Sequence, residues 1–319
     1  MRDATLYKEL ERKLPIGEHK NERIVIRSRW VGSYMREKKR WTNLLFALIA
    51  IFTCALLYPQ LTPYTHYENK VLVLTYHHID EKIKSDATIT PKLFEQHMKK
   101  LKKYNYNVIS MDEFIAFMKD NKSVPPNAIL LTFDDGYKSF YSKAYPVLLR
   151  YGYTATNFII VKATDIPNPK ALPHLTWKDM REMKRNGMSF YSHTYDQHML
   201  CNVNAQRETK PALVTPIYKE KEKRTETEGE YQHRIEEDIQ FANERLGQEL
   251  NNHEHLLCFP FGAYNDTVLK VGRENNIRLF FTTQEGINKA RQEKVLRINA
   301  GAPNVSAEEL IKKLESYDE

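Results

Sequence analysis

The chain has 319 residues, 41% of them hydrophobic and 28% charged, enough to bury the core of one globular domain with a smaller segment beside it. Its formal net charge is +7, but residues 1–41 hold 12 Lys and Arg against 6 Asp and Glu, a net +6 that leaves only +1 for the rest. A nucleic-acid-binding domain would carry its positive charge on the folded portion, so no nucleic-acid partner is expected.

The basic tail, 1–41, ends in Arg36-Glu37-Lys38-Lys39-Arg40, and an uncharged apolar run from Leu44 to Leu57 follows. With Trp41 to Asn43 before it and Tyr58 after it, the run approaches the length needed to cross a bilayer, and Trp41 and Tyr58 stand where interfacial aromatics belong. The expectation is one N-terminal transmembrane helix over 42–58. The basic cluster places the N-terminus in the cytoplasm and the rest of a single-pass cell-membrane protein outside the cell. A buried helix of a soluble domain and a cleaved signal peptide are the other readings; against the latter, the tail is long for a signal n-region and no small-x-small cleavage site follows. Residues 59–69 read as a linker, and 70–319 as the main folded domain.

From there strands and helices alternate. Val71 to Thr75 is apolar and β-branched and leads into Tyr76-His77-His78, and Lys92 to Tyr104 has helical spacing of apolar residues. Ser110 with Glu113 forms a capping box for a helix ending near Lys119. The buried strand 128–133 runs into Asp134-Asp135-Gly136, two adjacent carboxylates that suggest a site at a strand's C-terminal end or, as the alternative, an ordinary turn.

A helix over Phe140–Tyr151, a strand over Ala155–Val161 and a Thr176-capped helix stopped by Asn186-Gly187 come next. The short apolar segment Met188 to Tyr191 then leads into Ser192-His193-Thr194-Tyr195-Asp196-Gln197-His198, whose two imidazoles are the residue type that ligates divalent transition metals. A spacing of five does not stack two ligands on one helix face, so His193 is placed at the strand end and His198 farther round the loop.

Cys201 to Gly229 is polar, holds Pro211 and Pro216, and reads as an inserted loop, either solvated or walling a groove. The remaining elements are a helix over 234–250, strand 255–259, helix 267–275, strands 277–282 and 295–298, and a last helix from Ala307 capped by Ser306. Repeated βα units favour a parallel barrel. His66, His97, His253 and His255 show no converging spacing and are taken as surface residues. A disulfide between Cys201 and Cys258 stays open, although Cys258 reads as the inner end of a buried strand. No CxxC spacing points to Cys ligation.

The motifs TFDDG (Thr132–Gly136), SHTYDQH (Ser192–His198) and FPFGAYN (Phe259–Asn265), with the segment Leu175-Thr176-Trp177 to Gly187, resemble those of the NodB-homology polysaccharide deacetylases, carbohydrate esterase family four. The resemblance spans 71 to the C-terminus. Because Thr75-Tyr76-His77-His78 precedes TFDDG, the pattern is most similar to the poly-β-1,6-N-acetylglucosamine N-deacetylases of biofilm synthesis.

What the resemblance implies is an α/β fold, a single distorted (β/α) barrel, and a hydrolase that removes N-acetyl groups from N-acetylglucosamine units of an extracellular polysaccharide. Its alternatives are a peptidoglycan or chitooligosaccharide N-deacetylase, or a non-catalytic glycan-binding domain on the same fold. It implies one divalent metal ion, zinc with cobalt or nickel as alternatives, held by Asp135, His193 and His198. Asp134 would be the general base and His77 the general acid that protonates the departing amine. Oxyanion and substrate contacts would come from the third motif, near Tyr264, with Pro260 and Asn265. The implied partners are an N-acetylglucosamine polymer, the membrane through the N-terminal helix, and a polysaccharide synthase complex. Two departures from the wider family stand out: Leu257-Cys258-Phe259 occupies the region where most members carry an Arg thought to position the base, and Leu296-Arg297-Ile298-Asn299 stands near the place of a late histidine motif.

Overall fold

Residues 20–61 and 64–318 are described by a computed structural model, with side chains described for 32–54 and 64–318. The chain divides into two units at 63/64. In the first, one helix runs from Lys20 to Leu61, and the segment expected as an anchor, 42–58, lies within it. Among the described residues no helix is long and apolar enough to cross a membrane. The part of the apolar run with described side chains, Leu44–Cys54, rises only about 16 Å at 1.5 Å per residue, and the rest of the run falls where side chains are outside the described residues.

The second unit is built on the alternation legible in the sequence. Among the described residues, a ten-stranded sheet carries the parallel series β1 (Val71–Tyr76), β2 (Ala128–Phe133), β3 (Thr156–Ile159), β4 (Ser189–Ser192), β5 (His255–Cys258), β6 (Ile277–Phe281) and β7 (Lys294–Val295). Two residues after β7 the chain becomes β8 (Ile298–Asn299), which pairs parallel with β1. Leu296 and Arg297 thus bridge the two edges, and the sheet is a nearly closed barrel. The expected strand over 295–298 is split because its first half pairs with β6 and its second half with β1. One departure from a purely parallel barrel is Ile287–Asn288, which pairs antiparallel with β1.

Each side of the sheet is covered, as parallel sheets require. Val71, Val73, Ala128, Leu130, Phe158, Tyr191, Leu256, Cys258, Leu279, Phe281 and Val295 fill the inside together with Phe114, Ile115 and Met118 of the helix Met111–Asp120. Leu72, Leu74, Ile129, Leu131 and Phe133 face out onto the helices Pro91–Lys103, Tyr145–Tyr151 and Ala307–Glu315. Helix starts are set by local chemistry: Ser110 with Glu113, Thr176 with Asp179 and Ser306 with Glu309 all close capping boxes. So do Thr227 and Glu230, which start the helix Glu228–Leu250 six residues before the expected 234. The insertion 201–227 is not a bare loop; it holds two hairpins, Leu200–Asn202 with Thr209–Pro211 and Tyr218–Lys219 with Arg224–Thr225. Cys201 and Cys258 are free thiols.

The compact unit opens at Tyr64, inside the span 59–69 read as a linker. His66 and Tyr67 are buried: His66 N–H donates to Asn127 Oδ1 at 2.6 Å and the Tyr67 hydroxyl to Ala128 O at 2.9 Å. His97 is not a surface residue either. Val305 O, 3.0 Å from Nε2, can only accept, so Nε2 carries the proton and Nδ1 accepts from the Tyr76 hydroxyl at 3.1 Å. Burial holds the His97 pKa down to about 4 from 6.5, against the opposing pull of that carbonyl.

Because the unfolded chain binds this proton more readily, stability is full above pH 6.5 and is lost as pH falls toward 4. The loss between pH 7 and 4.5 is expected to reach about 2–3 kcal/mol at 1.36 kcal/mol per pKa unit. Urea unfolding of His97→Gln, which keeps the neutral donor, should show an acid-side slope shallower by that amount. Equal slopes would show that His97 does not titrate on unfolding.

Candidate active site

Period-two alternation sets which side chains reach the barrel axis. Residues 71 and 73 of β1 point inward, and continuing that parity past the strand end brings His77 over the mouth. Residues 128 and 130 of β2 lead by the same rule to Asp134, residue 191 of β4 to His193, and residue 295 of β7 to Arg297. All of these lie toward the C-terminal ends of parallel strands, where such folds collect their chemistry. Asp135 has the opposite parity and comes round only because its backbone is left-handed, φ 70°, a conformation Asp tolerates. Gly136 follows at φ 76°, where a Cβ would sit 3.0 Å from the Ile159 side chain.

Asp135, His193 and His198 come together with their ligand atoms within 4.8 Å of one another. Asp135 Oδ1 lies 3.4 Å from His193 Nε2 and 3.2 Å from His198 Nε2, and it is buried without a hydrogen-bond partner. His193 Nδ1 donates to Cys258 O at 2.8 Å, so its Nε2 presents a lone pair to the same centre. A carboxylate oxygen and imidazole lone pairs aimed at one another repel unless a cation lies among them. The donor set therefore fits a divalent metal of the kind that takes mixed nitrogen and oxygen ligands. Burial pushes the Asp135 carboxyl up, but the imidazoles of His193 and His198 outweigh it and hold it well below the usual range. Burial lowers His198, and Asp135 more than reverses that.

Asp134 points the other way. Its oxygens accept from both terminal nitrogens of Arg297, 2.8 Å to Nη1 and 2.9 Å to Nη2, and the Arg297 Nε donates to Thr282 O at 2.7 Å. Arg297 is only 2% exposed and Asp134 3%. Burial pushes the Asp134 carboxyl up, and the guanidinium, with His193 and His77, brings it below its ordinary value. His77 Nε2 stands 3.8 Å from Asp134 Oδ2 and remains partly exposed at the mouth. Asp134, His193 and Cys258 also approach one another, but they share His193 with the first set and Asp134 is already engaged by Arg297. Burial raises the Cys258 thiol far above its usual pKa, so it stays protonated. This second grouping offers no separate cation site.

The loop from His193 to His198 is braced from outside the barrel. Thr194 is held at φ 71°, unfavourable for a β-branched residue. Asp238, on the helix Glu228–Leu250, accepts from Tyr195 N at 2.9 Å, Asp196 N at 2.7 Å and Gln197 Nε2 at 3.1 Å. Burial raises the pKa of Asp238 despite those donors. Gln197 Oε1 in turn accepts from Arg234, whose guanidinium also donates to Ala212 O, Thr215 O and Glu226 of the insertion.

In the third motif the structure separates the residues expected to act together. Asn265 is committed as a helix cap: its Oδ1 accepts from Val268 N at 2.9 Å and its Nδ2 donates to Val214 O at 3.1 Å. The Tyr264 ring stacks on Phe259 at 5.0 Å, and its hydroxyl accepts from Gln284 at 3.1 Å. Pro260 is buried at the start of the turn. The residue of this motif that meets the triad is Phe261, whose ring centroid lies 4.6 Å from that of His198.

The sequence places Arg297 and Phe261 within motifs without giving either a role of its own, and it does not mark Asp238. Arg297 carries one usable signal, a charged residue at an inward parity of an apolar strand; Phe261 carries its place in the third motif, and Asp238 carries none.

Comparisons with known proteins agree on one assignment. The family model described as "Polysaccharide deacetylase" matches residues 121–280, half of the chain. The poly-β-1,6-N-acetyl-D-glucosamine N-deacetylase of Staphylococcus epidermidis is 26% identical over 272 residues, covering 79% of this chain and 86% of that protein. The enzyme of the same name in Escherichia coli K12 is 25% identical over 243 residues, 72% of this chain but only 36% of the longer protein. Among solved structures, a de-N-acetylase from Aggregatibacter actinomycetemcomitans superposes with a TM-score of 0.68 at 27% identity, covering 77% of this chain and 99% of that one.

Proposed function

The chain belongs to the polysaccharide deacetylase family, and from that premise we propose that it is a metal-dependent hydrolase that removes N-acetyl groups from N-acetylglucosamine units of a polysaccharide, releasing acetate. The observation that carries the proposal is the meeting of Asp135, His193 and His198 around one point with Asp134, clamped by Arg297, beside it. The names of the Staphylococcus and Escherichia relatives support poly-β-1,6-N-acetylglucosamine as the polymer. The apolar run after Arg36–Arg40 supports a membrane-tethered chain acting outside the cell.

Asp135, His193 and His198 would hold the ion. A divalent ion there polarises the acetamide carbonyl and lowers the pKa of water, which opens amide hydrolysis at neutral pH. Asp134, kept ionised by Arg297, takes a proton from the attacking water. The acyl carbon gains the hydroxyl oxygen, the C–N bond breaks, and His77 delivers the proton that makes the amine a competent leaving group. The Phe261 N–H is the candidate backbone donor to the developing oxyanion, since the turn's own bonds use the N–H groups of Gly262 and Ala263.

Acetate release from β-1,6- and β-1,4-linked N-acetylglucosamine oligomers tests this directly. Chelation is expected to lower the rate about a hundredfold or more, since Lewis-acid stabilisation is worth several kcal/mol, and re-addition of zinc, cobalt or nickel to restore it. Full activity after thorough metal removal would sink the metal-dependent mechanism. A preference for the β-1,4 oligomers would favour the peptidoglycan or chitooligosaccharide alternative.

A further inference from the structure

At the end of the barrel away from the catalytic mouth, a cleft of about 330 Å³ is lined by residues of the helix Glu228–Leu250, the start of β5 and the end of the helix Asp266–Glu274. His255 opens β5 there, and Cys258, at the strand's catalytic end, lies about 10 Å away at 3.3 Å per residue. None of the lining residues belongs to the site described above, and apart from Gly247 every one of them is polar or charged. Two groups in it have no partner among the described residues. Asn243 is only 9% exposed, yet its amide takes part in no hydrogen bond. His255 Nδ1 is buried and equally unpartnered, so His255 is not the surface residue its spacing suggested. Buried polar groups are ordinarily satisfied, and two orphans lining one cleft point to an occupant that can donate and accept hydrogen bonds.

The charge around them has one sign. Glu244 and Glu274 stand exposed at the edge, and no Lys or Arg lines the cleft. The helix Asp266–Glu274 brings its negative end here, and Arg273, the base of its last turn, is held by Glu293 at 2.6 Å. Lys184 donates to Leu250 O and Asn252 Oδ1 without lining the cleft. The occupant that fits is cationic and rich in hydroxyls.

We infer that this cleft binds a deacetylated amino-sugar residue of the polymer, apart from the place where the amine is made. The ammonium of a glucosamine unit meets Glu244 and Glu274, while its hydroxyls satisfy the Asn243 amide and His255 Nδ1. An N-acetylated unit brings the carboxylates no charge. A bare divalent ion leaves most of the volume empty and cannot accept from the Asn243 amide nitrogen. The inference rests on the deacetylase function proposed above, which supplies the amine. Holding its product in the cleft keeps the enzyme on a strand it has begun to deacetylate.

The test is a calorimetric titration of the full chain with a β-1,6-linked glucosamine pentamer, below neutral pH so that its amines are protonated. The Asp134→Asn background is used with an excess of the N-acetylated pentamer, which fills the mouth without turning over. Glu244→Gln combined with Glu274→Gln is expected to raise the glucosamine-pentamer Kd about tenfold, two exposed ion pairs at about threefold each. Asn243→Ala, which leaves the charge unchanged, should raise it about fivefold, the scale of one neutral hydrogen bond. Its Tm should be no lower than that of the parent, because alanine is the better helix former and the change removes a buried amide without a partner. With Asp134 intact, both sets of cleft variants should turn over a small aryl acetate at the wild-type rate. Absence of glucosamine-pentamer binding beyond the filled mouth, an unchanged Kd in either set, a lower Tm in Asn243→Ala, or slowed aryl acetate turnover would each overturn the inference. If the wild type releases acetate from no substrate, the hydrolase proposal falls separately, and the cleft is still judged by the Kd values.

Discussion

Asp134→Asn is expected to lower deacetylation by about a thousandfold, within the range for loss of a general base, while bound metal stays at the wild-type level. The asparagine amide has the shape of the carboxylate but cannot take a proton from water at neutral pH. Metal should persist because Asp134 is turned from the triad toward Arg297, both of its oxygens accepting from the guanidinium. Metal content by elemental analysis and turnover on the same preparation separate these effects. Loss of metal in Asp134→Asn would make it a ligand and refute the division of labour between adjacent aspartates. Retained turnover would remove it from the base role.

The second large effect is expected at Arg297, through stability and pH dependence together. Arg297→Met leaves Asp134 buried without its counter-charge, and breaking a buried pair from one side typically costs about 3–5 kcal/mol. At about 2–4 °C per kcal/mol for a domain of this size, Tm should fall by about 10 °C. The segment joining β7 to β8 should loosen too, because Arg297 Nε donates to Thr282 O just past the end of β6.

The sign of the pH effect follows from burial and charge. Burial alone raises Asp134, and the guanidinium is the largest opposing influence. Removing it therefore raises the Asp134 pKa and moves the acid limb of kcat/KM to higher pH. In the wild type the depressed pKa means the pair's contribution is intact at neutral pH and is lost only as pH falls through the lowered carboxyl pKa. Arg297→Lys keeps the charge without the two-pronged geometry and should fall between wild type and Met in both measurements. An unshifted acid limb in Arg297→Met would show that Arg297 supports the fold without governing the base.

Arg297 also accounts for one departure of this chain from its wider family. Cys258 stands in the region where most members carry an arginine, and the guanidinium arrives instead from the segment joining β7 and β8. Arg297 stands at an inward position at the C-terminal end of the barrel, and Asp134 meets its positive charge there. The small Cys258 side chain, 3.5 Å from Asp134 Oδ2, leaves room for it.

Much of this protein could be read from near neighbours in the chain. Ser110 with Glu113, Thr176 with Asp179 and Ser306 with Glu309 begin helices by bonds within one turn, so a short window of residues determines them. Apolar runs such as 128–133 determine strands in the same way, and their period of two already directs Asp134 and His193 inward. The residue types at Asp135, His193 and His198 are those a divalent cation requires. Thr227 with Glu230 was equally local, but Gly229 between them masked the helix start.

Tertiary structure alone decided the partnerships. Arg297 reaches Asp134 across 163 positions, Asp238 braces a loop more than forty residues away, and His66 and His97 are buried by segments far along the chain. No spacing rule encodes these contacts, because closing a barrel brings strand ends together in an order set by sheet pairing and not by distance along the chain. Phe261 belongs with them: its ring meets His198 only once the strand ends are brought together. The sequence alone determined which groups could do the chemistry; closure of the barrel determined which of them stand beside which.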